Sequence, residues 1–187
     1  MLIAIKDKGT VYIAQNVSDA IADVVEDDLV LDENVPIWKI KGSRHCYAAC
    51  RSAFMSADVL RNRQDLFGGI NTADDILTKT IPGIRAALKE KELIDKDQYW
   101  NNMLIIVKND EIYQIDSFFV MNGIDDFVVC GRGSDFITGG LEWEKDLPLE
   151  ERIKKVVACY DRMHCDHFFP IVLLNCKTGR RKILRDF

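Results

Sequence analysis

No stretch of this sequence is both uncharged and long enough to cross a bilayer, so we expect no transmembrane segment. The N-terminus lacks the basic region and cleavage site of a secretory signal peptide. Basic residues form no dense patch, and the net charge of −5 argues against nucleic acid as a partner. No internal repeat, low-complexity segment or linker divides the chain. Its 187 residues, with 48% hydrophobic content, are enough for a single domain spanning residues 1–187.

The six cysteines lack the dense spacing of a disulfide framework, and most of them lie in apolar segments. Buried free thiols behave as small hydrophobic residues. This pattern suits the reducing cytosol, and we therefore expect a cytoplasmic protein.

The first sixteen residues predict a β-hairpin. Leu2–Ile5 is apolar at every position, which is typical of a strand covered on both faces. A charged turn that ends in Gly9 follows, and a second apolar run extends from Val11 to Ala14.

The remaining chain alternates paired strands with paired helices. Hydrophobic spacing and turn residues predict strands at 35–40, 45–50, 127–130, 169–176 and 182–184, a hairpin at 101–115, and helices at 52–67, 73–93, 134–143 and 148–164. Ser52 and Asp146 are expected N-caps, Pro82-Gly83 should interrupt the second helix, and 17–33 has no clear assignment. Because the strands join by hairpins, we expect an α+β fold with largely antiparallel sheets in a four-layer αββα sandwich.

The segment 103–168 resembles the C-terminal half of proteasome β subunits and of the bacterial HslV-type peptidase. The matching parts are, in order, a hairpin (MLIIVKNDEIYQID), a strand leading into a glycine turn (FVVCGRGSDFITGGLEW) and a helix leading into a loop (LEERIKKVVACYDRMHCDH). The N-terminal hairpin and the segment 36–60 match more loosely. The resemblance implies the N-terminal-nucleophile hydrolase fold, whose family activity is that of a threonine-type peptidase.

In this family an N-terminal threonine hydroxyl attacks the peptide carbonyl while the α-amine of the same residue accepts the proton. The resemblance places Met1 at that position, and Leu2 is too large for efficient methionine removal. It places the family's aspartate at Asn16, its lysine near 36–38 with Lys39 close by, and the serine of its glycine turn at Arg132. These departures predict a vestigial pocket, and hence a non-catalytic family member that serves as an assembly or scaffold subunit.

The alternative is a working threonine-type peptidase or amide hydrolase. The family matures by cleavage between glycine and threonine, and cleavage at Gly9-Thr10 would expose Thr10 with Asp27 and Lys41 downstream. An off-pattern nucleophile would be a second route. Gly9 is also the natural turn residue of a hairpin, and this structural role is favoured over the functional one.

His45, Cys46 and Cys50 could be read as metal ligands. On a strand, however, Cys46 and Cys50 share one face while His45 points to the other. This arrangement favours core thiols beside an exposed imidazole.

A second cluster lies at the end of the last helix. In HslV-type proteins main-chain oxygens near this helix end hold a monovalent or divalent cation, and the resemblance places them at Asp161, His164 and His167. A transition-metal site would instead require the side chains of His164, Cys165 and His167 to converge. No other cofactor is expected. Arg132 is either a substrate-binding cation of the vestigial pocket or a partner in a surface salt bridge.

Family members build rings through contacts between helices, so the resemblance implies self-association through the helical layers. The apolar stripe of 148–164 should be used by its own sheet, whereas the stripe of 73–93 is broader and leaves more surface for a partner. The sequence specifies neither a substrate nor a partner ATPase.

Overall fold

The structure, a computed structural model, describes residues 1–17, 37–51, 54–94, 100, 102–121, 124 and 126–186. The chain divides into two compact units, the first made of Met1–Val35 with Asp126–Phe187 and the second of Pro36–Asp125. Each unit contains a five-stranded sheet in which all neighbouring strands are antiparallel. The predicted α+β class with antiparallel sheets is therefore confirmed.

The strands, in chain order, are β1 (Leu2–Asp7), β2 (Thr10–Asn16), β3 (Ile37–Lys39), β4 (Cys46–Cys50), β5 (Met103–Lys108), β6 (Glu111–Asp116), β7 (Phe119–Met121), β8 (Phe127–Cys130), β9 (Ile171–Asn175) and β10 (Arg181–Leu184). The α-helices are α1 (Phe54–Asn62), α2 (Ala73–Asp75), α3 (Ile81–Glu90), α4 (Ser134–Trp143) and α5 (Leu149–His164). A 3₁₀ turn (Gln64–Phe67) follows α1, and a π-helical turn (Ile76–Thr80) joins α2 to α3. Within the described residues no helix has the length and apolarity that a membrane span requires.

The sheet of the first unit has the order β10-β9-β2-β1-β8, which places β1 between two neighbours. All four residues of Leu2–Ile5 are fully buried, as the unbroken apolar run predicts. Each buried leucine or isoleucine contributes about 1.5–3 kcal/mol to stability. Lys8 and Gly9 both have positive φ angles (48° and 76°), which is the geometry of a type I′ hairpin turn.

Helices α4 and α5 cover one face of this sheet. Met1, Ile3 and Ile5 belong to the same buried cluster as Ile137 of α4 and Ile153 of α5. The two helices approach closely at Gly140, where a Cβ atom would lie 2.6 Å from Cγ1 of Val156. Glycine is therefore required at 140 by the packing of α4 on α5.

The sheet of the second unit has the order β3-β4-β5-β6-β7. Its core joins Trp38, Cys46 and Cys50 to the inner sides of the helices. The helical segment that begins at Ala73 starts with a capping box, in which Thr72 accepts a hydrogen bond from the backbone N–H of Asp75 (3.2 Å) and Asp75 accepts one in return.

Several predicted details are wrong or incomplete. Asp146 does not cap α5, because Pro148 is the N-cap residue and makes no side-chain capping bond. The first helix of the second unit ends at Asn62 rather than continuing to 67. Strand β8 is only partly buried because it lies at the edge of its sheet, and strand β7 was not predicted at all.

The interruption expected at Pro82 takes the form of the π-helical turn. Pro82 has no N–H, so it cannot make the usual helical hydrogen bond to the carbonyl four residues earlier. The backbone N–H of the preceding Ile81 donates instead to the carbonyl of Ile76, five residues earlier, which is the π-helical pattern. The unassigned segment 17–33, apart from Val17, and the predicted cap Ser52 lie outside the described residues.

Candidate functional site

The strand register fixes which residues lie beside the first residue, at the end of the inner strand β1. Leu2 pairs with Gln15 on β2 and with Cys130 on β8. One residue earlier, Met1 therefore lies beside Asn16 and Gly131. Met1 and Asn16 thus lie side by side at one end of the sheet of the first unit, and Arg132 follows Gly131 in the turn after β8.

Met1 is held at both its polar and its apolar end. Its α-amino group donates a hydrogen bond to Oδ1 of Asn16 at 2.6 Å. Its side chain is 7% exposed and belongs to the buried cluster of β1, α4 and α5. The side chain of the first residue is therefore a buried thioether, which has no acidic proton and cannot serve as the nucleophile of a hydrolase.

Arg132 forms an ion pair across the glycine turn. Its guanidinium Nη1 donates to Oδ1 of Asp166 at 2.7 Å, and this bond holds the pKa of the Asp166 carboxyl below its usual range. The Arg132 side chain is 76% exposed while that of Asp166 is 12% exposed. Of its two predicted roles, Arg132 therefore has the salt bridge in this structure.

The turn itself depends on glycine. Gly133 has a φ of +73°, and a Cβ atom there would overlap the ring of Tyr160. Tyr160 also stacks on His164 (4.4 Å between ring centroids) and on Phe168 (5.4 Å). An aromatic group around the end of α5 therefore packs against the glycine turn.

The predicted cation positions lie in the loop that follows α5. The main-chain carbonyl of Asp161 accepts a hydrogen bond from Cys165 at 2.7 Å, and its Oδ2 accepts one from Phe168 at 2.8 Å. Its Oδ1 is buried and has no hydrogen-bond partner among the described residues. Burial raises the pKa of the Asp161 carboxyl. A buried carboxylate oxygen without a partner is a ligand of the kind that hard cations prefer.

The transition-metal alternative does not fit. Across the described parts of the chain, no three histidine, cysteine, aspartate or glutamate side chains come together as a metal site. His164 instead stacks on Tyr160, and Cys165 is exposed in the left-handed conformation that ends α5.

Lys39 and Thr10 belong to different units. Lys39 ends β3 in the second unit with an exposed side chain, and the neighbouring Ile37 and Trp38 are buried. Thr10 is the first residue of β2 and pairs with Asp7 next to the hairpin turn. It is six residues from Asn16 on the same strand, a distance of about 20 Å at 3.3 Å per residue. Asp27 lies outside the described residues, and Lys41 is exposed in a turn of the second unit.

The cysteines of β4 are core thiols. Cys46 and Cys50 are both fully buried, and burial raises the pKa of Cys46 to about 11 and that of Cys50 to about 12. Such thiols stay protonated at neutral pH and are poor metal ligands.

Sequence reasoning missed the aromatic group of Phe136, Tyr160, His164 and Phe168. Tyr160 and His164 are four residues apart on α5, so their contact could have been predicted from helical spacing. The contact of Phe136 with Tyr160 (5.6 Å) joins α4 to α5 and depends on how the two helices pack.

No family model matches the sequence, and no curated protein matches it either. Solved structures do match. HslV from Trypanosoma brucei superposes with a TM-score of 0.57 at 14% identity, over 93% of this chain and 98% of that one. Thiobacillus denitrificans BPH gives 0.62, and its complex with epoxomicin gives 0.63, each at 15% identity over 98% of this chain and 97% of the other.

The chain has the proteasome-like fold of the N-terminal-nucleophile hydrolases. The predicted fold class is therefore confirmed, while identities this low carry the fold alone. From here on, the nucleophile position means the place at the start of β1 that Met1 occupies.

Proposed function

We propose that this chain is a non-catalytic protein with the proteasome-like fold that acts as a cytoplasmic assembly or scaffold subunit. The observation that carries the proposal is Met1 itself. The nucleophile position holds a buried thioether, and the amine that would serve as the base donates to the neutral amide of Asn16. The thioether has no hydroxyl or thiol to deprotonate, so the amine has no nucleophile on its own residue to activate, as the family chemistry requires.

The remaining pocket positions support the same conclusion. At the position of the family's turn serine, Arg132 carries a guanidinium group, and this group is ion-paired with Asp166. Lys39, the nearest lysine to the position expected for the family's charged group, has an exposed side chain. A scaffold needs only the fold, so it tolerates the loss of all these groups together, whereas a peptidase tolerates none of them.

The alternative, a peptidase activated at Gly9-Thr10, is disfavoured by the position of the cut. Cleavage would separate β1 from β2, and β1 carries four fully buried apolar residues between β2 and β8. If β1 stayed bound, the new Thr10 amine would lie about 20 Å from Asn16 along the strand.

The loop after α5 adds a structural cation to this proposal. A monovalent or divalent ion held by oxygens of Asp161, His164 and His167 would satisfy the buried Oδ1 of Asp161 and order the loop that carries Asp166. Its contribution would be to stability and not to chemistry.

Peptide turnover tests the proposal. The purified protein is incubated with a panel of fluorogenic peptide substrates alongside a Thr10→Ala variant. We expect no turnover above a buffer control for either protein. Turnover by the wild type that disappears in Thr10→Ala would establish the peptidase alternative. Turnover that persists in Thr10→Ala would point to an off-pattern nucleophile and would equally refute the scaffold assignment.

A further inference from the structure

Strand β10 forms one edge of the first sheet and is open on its outer side. In the order β10-β9-β2-β1-β8 it pairs with β9 alone. The backbone N–H of Asn175 on β9 donates to the carbonyl of Arg180 (2.9 Å), so the backbone of Arg180 is turned toward β9. Because the direction of these groups alternates along an antiparallel strand, Arg181 and Ile183 turn theirs to the open side. Within the part of the chain that the structure describes, no hydrogen bond reaches the N–H or the carbonyl of Ile183 from this side.

An open edge of this kind is a template for a further strand. Native edge strands are protected by proline, by a bulge or by charged side chains. Strand β10 contains no proline, and its protection comes from charge, since residues 180–182 are the longest uninterrupted basic run in the sequence. Positive charge repels another basic strand and attracts an acidic one. The edge is therefore selective for the charge of its partner.

Two cations at the start of this edge have no counter-ion. Lys177 and Arg180 are exposed, and neither forms an ion pair with any residue that the structure describes. Lys182 differs, because it is paired with Glu150 on α5. Lys177 and Arg180 are three residues apart in one turn, and like charges this close repel each other within a Debye length of about 10 Å. Carboxylates of a partner would replace this repulsion with an attraction.

We propose that the open edge of β10 binds an acidic, extended segment of a partner protein, which adds to the five-stranded sheet as one more strand. The backbone of the segment bonds to the N–H and the carbonyl of Ile183, and its carboxylates pair with Lys177 and Arg180. Strand addition of this type draws its affinity from main-chain hydrogen bonds and its selectivity from side chains. The inference rests on the proposed scaffold role, to which it adds the chemistry of the partner.

The geometry favours a protein segment over a nucleic acid. A phosphate backbone has no amide N–H, so it cannot bond to the carbonyl of Ile183. Phosphate sites commonly use free backbone N–H groups, and the turn between β9 and β10 has already used its own. The N–H groups of Lys177 and Thr178 both donate to Oδ1 of Asn175 (3.0 and 2.9 Å). That of Arg180 donates to Oγ1 of Thr178 (3.2 Å).

The same charges disfavour a second copy of β10 as the added strand. Pairing β10 with β10 of another chain would bring two basic runs, residues 180–182 of each, side by side. Like charges that face each other across neighbouring strands are destabilising. An acidic segment meets no such repulsion.

Fluorescence anisotropy with the peptide fluorescein-TEVEVET-NH2 tests the proposal. The peptide alternates glutamate with valine, so one face of the added strand is acidic. We expect a dissociation constant of about 10–100 μM in about 50 mM NaCl, weakened at least about threefold in about 500 mM NaCl. The lysine counterpart, fluorescein-TKVKVKT-NH2, should not bind. A TEVEVET peptide methylated on the backbone nitrogens of its glutamates and valines should not bind either, because it cannot donate to the strand.

Variants of the protein locate the binding edge. Lys177→Glu combined with Arg180→Glu should weaken binding at least about tenfold, whereas Lys41→Glu, at an exposed lysine in a turn of the second unit, should leave it unchanged. Ile183→Pro removes the outward N–H but not the bonds to β9, and it should weaken binding about tenfold or more. Ile183→Val keeps that N–H and should bind within about twofold of the wild type. Circular dichroism and the thermal midpoint report whether each variant is folded, and the methylated peptide tests the same hydrogen bonds if Ile183→Pro is not.

Amide hydrogen exchange followed by NMR shows whether a strand has been added. We expect the peptide to slow the exchange of the Ile183 amide. Failure of TEVEVET to bind at about 1 mM overturns the proposal, as does binding that survives the double charge reversal and backbone methylation.

Two further results would assign the edge to another occupant and overturn the proposal as well. One is tighter binding of single-stranded oligo(dT) that the double charge reversal abolishes, which would indicate a nucleic acid. The other is protection of the Ile183 amide that rises with protein concentration alone, which would indicate a second copy of the chain. None of these results bears on turnover of fluorogenic substrates, so the strand-addition proposal and the scaffold assignment fail separately.

Discussion

The α-amino group of Met1 donates a 2.6 Å hydrogen bond to Oδ1 of Asn16. The two residues lie side by side where β1 begins and β2 ends, as the register Leu2–Gln15 requires. In the resemblance these positions belong to a nucleophile and a carboxylate. Here the contact joins an amine to an uncharged amide, so it fixes the strand end without creating a charged pair.

This contact predicts the effect of Asn16→Asp. A carboxylate at this distance would raise the pKa of the α-amine above its usual value of about 7.7–8.0, and the amine would lower the pKa of the new carboxyl. The added stability is present between the two unfolded-state pKa values and is lost as the pH rises through the raised amine pKa. We expect Asn16→Asp to be more stable than the wild type by about 1 kcal/mol at pH 6.5 and to lose this advantage by pH 10.

Urea unfolding at the two pH values measures the effect, with Asn16→Ala as the control that removes the acceptor and should be less stable at both. Equal stability of Asn16→Asp and the wild type at pH 6.5 would mean that the amine is not held by residue 16.

Alanine substitutions at the adjacent residues Arg132 and Gly133 should differ in how much they lower the stability of the fold. Arg132 has an exposed side chain in a surface ion pair, so Arg132→Ala should change the free energy of unfolding by less than about 1 kcal/mol. Gly133 has a φ of +73° and no room for a Cβ beside Tyr160. Gly133→Ala should therefore cost roughly 2 kcal/mol or more. Thermal and urea unfolding compare the two, and a Gly133→Ala variant as stable as Arg132→Ala would contradict the packing described.

The loop after α5 should respond to cations through Asp161. Adding Na⁺, Mg²⁺ or Ca²⁺ as chloride should raise the melting temperature of the wild type for at least one ion, because binding to the folded state stabilises it. Asp161→Asn removes the charge at the buried Oδ1 while keeping the size of the side chain, so it should abolish that specific increment. Tetramethylammonium chloride at equal ionic strength controls for screening. An increment that survives in Asp161→Asn would show that the ion binds elsewhere.

The core thiols predict a loss of stability at alkaline pH. Burial raises the pKa of Cys46 to about 11 and of Cys50 to about 12, from a value of 9.0 for an unperturbed thiol. The neutral thiols therefore stabilise the folded state fully below pH 9, and this contribution is lost as the pH rises toward 11 and 12. Replacing both residues by alanine should flatten the stability profile between pH 9 and 11. A profile just as steep in the double variant would assign the loss to other groups.

Sequence reasoning worked where one pattern determines one structural feature. An apolar residue at every position of Leu2–Ile5 requires burial on both faces, and β1 is buried on both. Spacing also placed α4 at 134–143 despite two internal glycines. The order of hairpin, glycine turn and helix was enough to indicate the fold, because each part constrains its neighbours.

The remaining features depend on tertiary packing, which periodicity does not encode. The three apolar residues of β8 before Cys130 predict a buried strand, but the strand lies at a sheet edge and these residues are only partly buried. The stripe of α5 does face its own sheet as expected, whereas Met163, near the C-terminal end of the same helix, is exposed. The salt bridge from Arg132 to Asp166 joins residues 34 positions apart, and only the folded loop reveals it.

Intact-mass measurement after incubation with epoxomicin tests whether the chain lacks a working nucleophile, because Thiobacillus denitrificans BPH, which shares this fold, forms a complex with that compound. BPH treated in parallel serves as the positive control. We expect a single species at the unmodified full-length mass, 21.4 kDa, with no adduct. An adduct on the full-length chain, or a chain shortened to begin at Thr10 that carries one, would contradict it.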